Sequence, residues 1–401
     1  MNEEILYKLP EGWKKEKIFN LVDEIKDRGE VGQTPYVEIG DIDLATKSYQ
    51  FKDKESVKGC VKACKNDIIL SRVRPTRGAI CLINEKSTLV SNAFTVLRIR
   101  SKLLPKYLFY FLTQDSFFRY LGTKQKGTMY PSCKSEHVLD YNIKFPDIVT
   151  QELIVQEIEK QFAHLDAAVK SLKSVKNRLE VYRKSVLKAA FEGKFVKDFE
   201  YKIVKIGQFE RKGGGTPSTK IKEYWNGDIN WITSANIDDK NKIHYNKKIT
   251  EKGLKNSSTN LIPKGSVIVV TRVGLGKVAV NDESTAISQD SQGIICKGVN
   301  PYYLMWQIKS ISKEIIGKGQ GTTINGITVN KLNNIEVKIP NESAQTQTVS
   351  EIESRFSVID KLEETVNNAL IKSDQLRKSI LKSAFEGKLL KFKNNKQKIN
   401  Q

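Results

Sequence analysis

The sequence is short of the residues that do chemistry unaided. His137, His164 and His244 are the only histidines among 401 residues, too sparse to suggest a general acid–base pair or an activated nucleophile. Five cysteines, Cys60, Cys64, Cys81, Cys133 and Cys296, are odd in number and thinly spread, which argues against a disulfide framework and predicts reduced thiols. Cys60-x3-Cys64 with Cys133-x3-His137 has the residue types of a zinc site, but its spacing is looser than a zinc knuckle's and the second half of the chain has no counterpart. GLGKV at 274–278 lacks both the spacing from a first glycine and the Ser/Thr after lysine that a phosphate-binding loop requires. Neither a glycine-rich cofactor loop nor an acidic-Pro-Pro-aromatic catalytic string is present, so base methylation is not expected. Glu336 and Lys338 lack the preceding aspartate of a metal nuclease. No run reaches the roughly 18 apolar residues of a membrane span, and no leader pattern opens the chain. These absences predict a non-catalytic protein of the cytoplasm.

Acidic residues are also in deficit, with 46 Asp and Glu against 67 Lys and Arg, a formal charge of +21. A chain so basic is drawn to polyanions, and nucleic acid is the first partner to consider.

What the sequence does contain is a repeat. RKSVLKAAFEGKF at 183–195 returns as RKSILKSAFEGKL at 377–389, an offset of 194 residues. At the same offset KFP at 144–146 meets KIP at 338–340, Phe162 meets Phe356 and Asp166 meets Asp360. In the first copy Ile158, Phe162, Leu165, Val169, Leu172, Leu179 and Val186 keep the spacing of a coiled-coil seam, interrupted at Lys176. The second keeps it through Ile352, Phe356, Ile359, Val366, Leu370 and Ile380. Pro146 and Pro340 precede the helices, and Gly193 and Gly387 stand where left-handed caps would stop them. About 45 residues of helix span roughly 65–70 Å. Neither seam can bury itself alone, so the two are predicted to pair antiparallel with each other; a homodimerising coiled coil is the plainer alternative.

The segments before and between the helices read as small α+β heads, with short β-rich runs broken by turn residues. Asp67 to Ser71 followed by Ala79 to Ile83, and Gly265 to Arg272 followed by Val278 to Asn281, are strand pairs joined by basic loops. The heads correspond only patchily. YVEIGDID at 36–43 aligns with WITSANIDD at 231–239, ILSRVRPTRGAI at 69–80 with VVTRVGLGKVAV at 269–280, and KGTMYPS at 126–132 with QGTTING at 320–326. Identical spacers with divergent heads suit two readers of different things on a shared frame.

The order head, helix, head, helix resembles the specificity subunit of type I restriction-modification systems over essentially the whole length. The resemblance is carried by GWKKEKI at 12–18, GGGTPSTK at 213–220 with EYWNGDINWITSANI at 223–237, SRVRPTRGAI at 71–80 with SNAFTVLRI at 91–99, GTTINGITVNKLNNIEVKIP at 321–340 and the twin FEGK ends. GQTPYVEIGD at 32–41 is a compressed form of the second head's longer stretch, which implies a shorter entry loop. The resemblance implies two mixed α/β target recognition domains, residues 1–145 and 196–339, on conserved helical spacers at 146–195 and 340–390, with a basic tail at 391–401. It further implies a bipartite double-stranded DNA site and two methyltransferase subunits, with restriction (motor-nuclease) subunits joining outside them. S-adenosylmethionine, ATP and Mg would belong to those partners, and the chain itself would hold no cofactor. A coiled-coil scaffold with basic heads that bind protein or nucleic acid non-specifically is the competing reading.

A DNA reader needs backbone amides and Lys/Arg on phosphates, and a few polar side chains on base edges. The loops between the strand pairs supply Arg72, Arg74, Thr76 and Arg77 in the first head and Thr271, Arg272 and Lys277 in the second. The GT-containing loops add Lys126, Thr128, Tyr130 and Ser132 to the first, and Gln320, Thr322, Thr323 and Asn325 to the second. Thr216 and Ser218 come from the GGGTPS stretch. Trp225 and Trp231 read as packing residues.

Overall fold

The heptad runs form two continuous α-helices of 44 residues each, Ile148–Phe191 and Glu342–Phe385. Each begins two residues after its proline. Gly193 (φ +78°) and Gly387 (φ +70°) are left-handed where each helix has just ended, a conformation that costs other residues about 1–2 kcal/mol. The computed structural model describes residues 10–32, 35–51, 55–197, 199–317 and 326–390.

The chain divides into two compact units: residues 1–172 with 367–401, and residues 173–366. Each unit therefore holds one head, half of one long helix and the opposite half of the other. In the first unit Ile154, Ile158 and Phe162 share a core with Ile380, Leu381 and Phe385. In the second, Leu179, Val186 and Phe191 share one with Val349, Ile352 and Phe356. The two halves run antiparallel, as their seams predict.

The same ties recur in both units. Arg183 meets Asp360 at 2.5 Å and lies 4.6 Å from the Phe356 ring centroid; Arg377 meets Asp166 and lies 4.1 Å from the Phe162 ring centroid. Buried Gln151 donates to the Pro146 carbonyl and accepts from Leu104 N–H, and buried Gln345 does the same with Pro340 and Asn300. Tyr107 packs edge-on against Phe385, and Tyr303 against Phe191. A pseudo-twofold repeat is thus built into the contacts. The seam thins toward the middle, where Val169 and Leu172 are half-buried and Val175 is exposed.

Both heads are mixed α and β. The first has a four-stranded antiparallel sheet in the order Val22–Ile25, Phe94–Ile99, Ile68–Ser71, Ile80–Leu82, and a three-stranded sheet of Tyr36–Val37, Ser87–Val90 and Val61–Cys64. The second repeats the former as Glu210–Gly213, Ser291–Ile295, Val267–Val270, Val278–Val280. It repeats the latter with Trp225–Ile232, Thr285–Ile287 and Leu261–Ile262, and Lys248–Ile249 adds a strand at the edge. In both, the first named strand of the smaller sheet runs parallel to the second, placing Tyr36 opposite Leu89 and Trp231 opposite Ala286. A strand at each head's start closes onto one at its end, Lys14–Lys17 on Asn142–Phe145 and Tyr201–Lys205 on Glu336–Pro340. A Cβ placed on Gly387 would lie 2.6 Å from Pro10 Cγ, so the start of the described chain packs against the end of the second long helix.

Candidate nucleic-acid interface

In the first head the buried strand Ile68–Ser71 delivers the chain to the surface at Arg72. Arg72 N–H donates to the Ala93 carbonyl at 2.9 Å and its guanidinium to the Asn92 carbonyl, while its Nε is buried with no acceptor among the described residues. Arg72 is therefore an anchor more than a free reader. Two residues on, Arg74 is left-handed at φ 48° and donates from its backbone to Pro131 O at 2.6 Å. Its guanidinium reaches Met129 O at 3.2 Å and lies 5.0 Å from the Tyr130 ring centroid. A single turn, Pro75–Arg77, follows and leaves Thr76 and Arg77 exposed. It is closed at Gly78, whose carbonyl accepts from Lys47 Nζ at 2.8 Å. Burial holds the Lys47 pKa below its usual value.

The second chosen loop arrives at the same place. Lys126 and Ser132 exchange backbone hydrogen bonds at 2.9 Å in both directions, Val73 bridges Ser132, and Cys133 N–H donates to Arg72 O at 2.9 Å. Lys126, Thr128, Tyr130 and Ser132 are all exposed. Loops some fifty residues apart in sequence thus form one basic surface, in which Arg74 is the tie.

The second head repeats the framework with other side chains. Thr271 N–H donates to Asp290 O at 2.8 Å, and Ile327 N–H donates to Thr271 O at 2.8 Å. These bonds pair Arg72 with Thr271, one residue away from the sequence alignment that paired Arg72 with Arg272. The sequence match had followed the shared Ser/Thr-Arg string. The sheet register instead sets Ile68 opposite Leu82 and Val267 opposite Val280, with a connecting loop one residue shorter in the second head. Thr271 is buried and its hydroxyl donates to Asp290 O at 3.1 Å. Arg272 is exposed, with Nε 3.6 Å from Asp290 Oδ1. Gly326 lies against it, since a Cβ there would be 3.2 Å from Arg272 Cγ.

Lys277 turns inward, donating to Ile237 O at 2.7 Å and Ser234 O at 3.3 Å. Removing the ammonium leaves the Ile237 carbonyl without a described donor, while Ser234 O keeps the Ile237 N–H at 3.4 Å, so Lys277→Met is expected to cost about 1–3 kcal/mol in urea unfolding. Weakened DNA binding at unchanged stability would place that ammonium on DNA instead.

Thr216 is exposed and donates to the Gln289 side chain, and Ser218 is exposed with its carbonyl accepting from Trp225 Nε1 at 3.1 Å. Trp225 and Trp231 pack edge to face with centroids 5.2 Å apart, and Trp231 is buried. Gln320, Thr322, Thr323 and Asn325 lie outside the described residues. Several neighbours of these loops went unseen in the sequence: Asn92 and Asp290, whose carbonyls anchor the loop starts, Lys47 beneath the turn, and Met129 at the tip. Each is brought there by a distant segment, and no local motif marks it.

All five cysteines are free. Burial pushes the Cys81 thiol up to about 12 and Cys296 to about 11, and raises Cys133, so these thiols stay protonated and unreactive at neutral pH. His137 Nδ1 accepts from Lys134 N–H. Among the described residues no group of three or more His, Cys, Asp or Glu could hold a metal ion, and no helix is long and apolar enough to cross a membrane.

The family model of the type I restriction modification DNA specificity domain matches twice, at residues 11–180 and 198–372. Curated relatives include the MjaIX specificity subunit of Methanocaldococcus jannaschii, 33% identical over 45% of this chain and 43% of that protein. The EcoR124I/EcoR124II specificity subunit of Escherichia coli is 28% identical over 69% of this chain and 68% of its own length. The StySPI specificity subunit of Salmonella potsdam is 22% identical over 95% and 90%. The chain thus spans less than half of the first of these relatives and most of the third.

Among solved structures, one chain of a type I R-M system, studied for its complex assembly and conformational transition, superposes with a TM-score of 0.82. It is 19% identical and covers 95% of this chain and 100% of that one. The HsdS subunit of Thermoanaerobacter tengcongensis gives 0.62 at 19% identity, covering 96% and 100%. These two establish likeness of fold. With one family matched on each of its two repeats, the chain belongs to the type I restriction modification DNA specificity family, as a non-catalytic DNA-recognition subunit.

Proposed function

We propose that the chain reads a bipartite site in double-stranded DNA, one half per head, with the paired helices fixing the unspecified gap. The observation that carries this reading is the repeated loop frame. In both heads the residue leaving the buried strand, Arg72 or Thr271, is tied through its carbonyl to the segment at Cys133 or Ile327, while the exposed side chains on that frame differ. A common frame with different readers suits two different half-sites on one DNA molecule.

The recognition domains are residues 1–145 and 196–339, and the spacers 146–195 and 340–390. Arg74, Thr76, Arg77, Lys126, Thr128, Tyr130 and Ser132 read or grip the first half-site. Arg272, Thr216 and Ser218 serve the second, together with Gln320, Thr322, Thr323 and Asn325. The formal charge of +21 supplies the sequence-independent attraction to phosphate. Two methyltransferase subunits dock on the duplicated helices and restriction subunits join outside them, bringing S-adenosylmethionine, ATP and Mg; the assembly works in the cytoplasm.

Selection from random duplex DNA by the chain with its methyltransferase partner, followed by sequencing, tests the reading. A two-part motif with a fixed gap is expected. Enrichment without sequence preference would sink it and favour a scaffold with charged heads.

A further inference from the structure

We propose that Met129 and Tyr130 form a wedge that enters the base stack of the half-site held by the first head. The inference rests on the DNA-reading function above and adds a distortion of the DNA to it. Met129 is 79% exposed and Tyr130 68%, the two most exposed large apolar side chains among the described residues. Scattered exposed apolar residues are ordinary on protein surfaces, but these two are adjacent, at the tip of a loop, and held in place.

The loop is closed at its base by the paired backbone bonds of Lys126 and Ser132. Arg74 then braces the tip from the side, its guanidinium on the Met129 carbonyl and beside the Tyr130 ring. That brace requires a left-handed arginine at φ 48°, a strained state that persists only when the surroundings impose it. Strain spent on presenting two apolar side chains to solvent stabilises nothing in the isolated chain. Exposed Arg77, Lys124 and Lys126 belong to the turn that follows Arg74, the end of the helix that leads into the loop, and the loop base. An apolar point with cations around it suits duplex DNA, where the rim holds phosphates and the point parts a base step; an apolar protein groove would leave those cations unmatched.

The test uses the full chain with its methyltransferase partner on its selected duplex, with 2-aminopurine placed at each position of the first half-site in turn. The wild type is expected to brighten one position and to bind a duplex with a mismatch at that step about tenfold tighter, because the unstacking is prepaid. The double variant Met129→Ala/Tyr130→Ala should lose both the brightening and the preference for the mismatch. Both side chains are exposed and the variant gives up only the surface contact of Arg74 with the Tyr130 ring, so its thermal midpoint should fall by no more than about 2–4 °C, which separates a lost wedge from a damaged head. Sequence-dependent retention by the wild type with no position brightened and no gain from the mismatch overturns the wedge and leaves the DNA-reading function standing. Absence of sequence-dependent retention by the wild type overturns both.

Discussion

Removing residues 171–177 from the first long helix together with 365–371 from the second is expected to shorten the gap in the selected DNA site and leave the bases of both half-sites unchanged. Seven residues are about 10 Å of helix. Because 3.6 residues per turn does not divide seven, the helix ends also rotate by about 20°, little enough that the heads keep nearly the same facing. The seam survives in the first helix, where Leu179 then follows Val169 at the spacing Leu172 has now. Ten ångströms is about three base pairs of duplex. Three pairs would also turn the second half-site by roughly 100° about the DNA axis, so the adjustment should settle between one and three pairs. On the parental site only one head could then engage fully. Losing simultaneous engagement removes an avidity of about 10²–10⁴-fold, and competition binding against the parental site should show a loss of that order. A deletion variant that selects the parental gap would mean that the helices do not set it.

The long helices were legible because what makes them is local. A heptad seam, a proline ahead and a glycine behind need no knowledge of the rest of the chain, and both helices span 44 residues between those marks. Their antiparallel pairing was the preferred reading, since neither seam could bury itself alone, but a homodimerising coiled coil would have met the same need. The contacts that lock it, Arg183 on Asp360 and Arg377 on Asp166, follow from the 194-residue offset only once the pairing is known. The heads were less legible. A single string, Ser/Thr-Arg-Val, drew the alignment one residue out of register, because strand pairing obeys the carbonyls of a distant strand and the eye follows side chains. The inward turn of Lys277 depends on the Ser234 and Ile237 carbonyls some forty residues earlier in the chain. The union of the loops at 72–77 and 126–132 was chosen as two sites and is one, since Arg74 and Val73 meet Pro131 and Ser132. Residue type marked these loops as basic and turn-rich. It could not say which arginine faces out.

That distinction sharpens the second large effect. Arg77→Ala with Lys126→Ala should degrade recognition of the first half-site alone, and Arg272→Ala that of the second alone. Arg72 and Lys277 are poor probes, since both are committed to backbone carbonyls and their loss would loosen the loops themselves. Arg77 and Lys126 are exposed and no described contact holds their side chains to the head, so alanine there removes little but the group offered to DNA. Arg272 is steadied by Asp290 at 3.6 Å, which limits its rotamers and lowers the ordering cost of contact. An arginine bidentate to guanine carries about 1–3 kcal/mol of discrimination, so each head variant should lose roughly 10–100-fold preference at its own half-site. A group on phosphate would instead weaken all sequences alike and reduce the salt dependence of log K by about one unit per contact. Measuring both the selected motif and the salt slope for each variant therefore sorts readers from grips. Effects at separate heads should combine additively in free energy. If either variant blurred both half-sites equally, the heads would not be independent readers, and the duplicated frame would have to serve a single site.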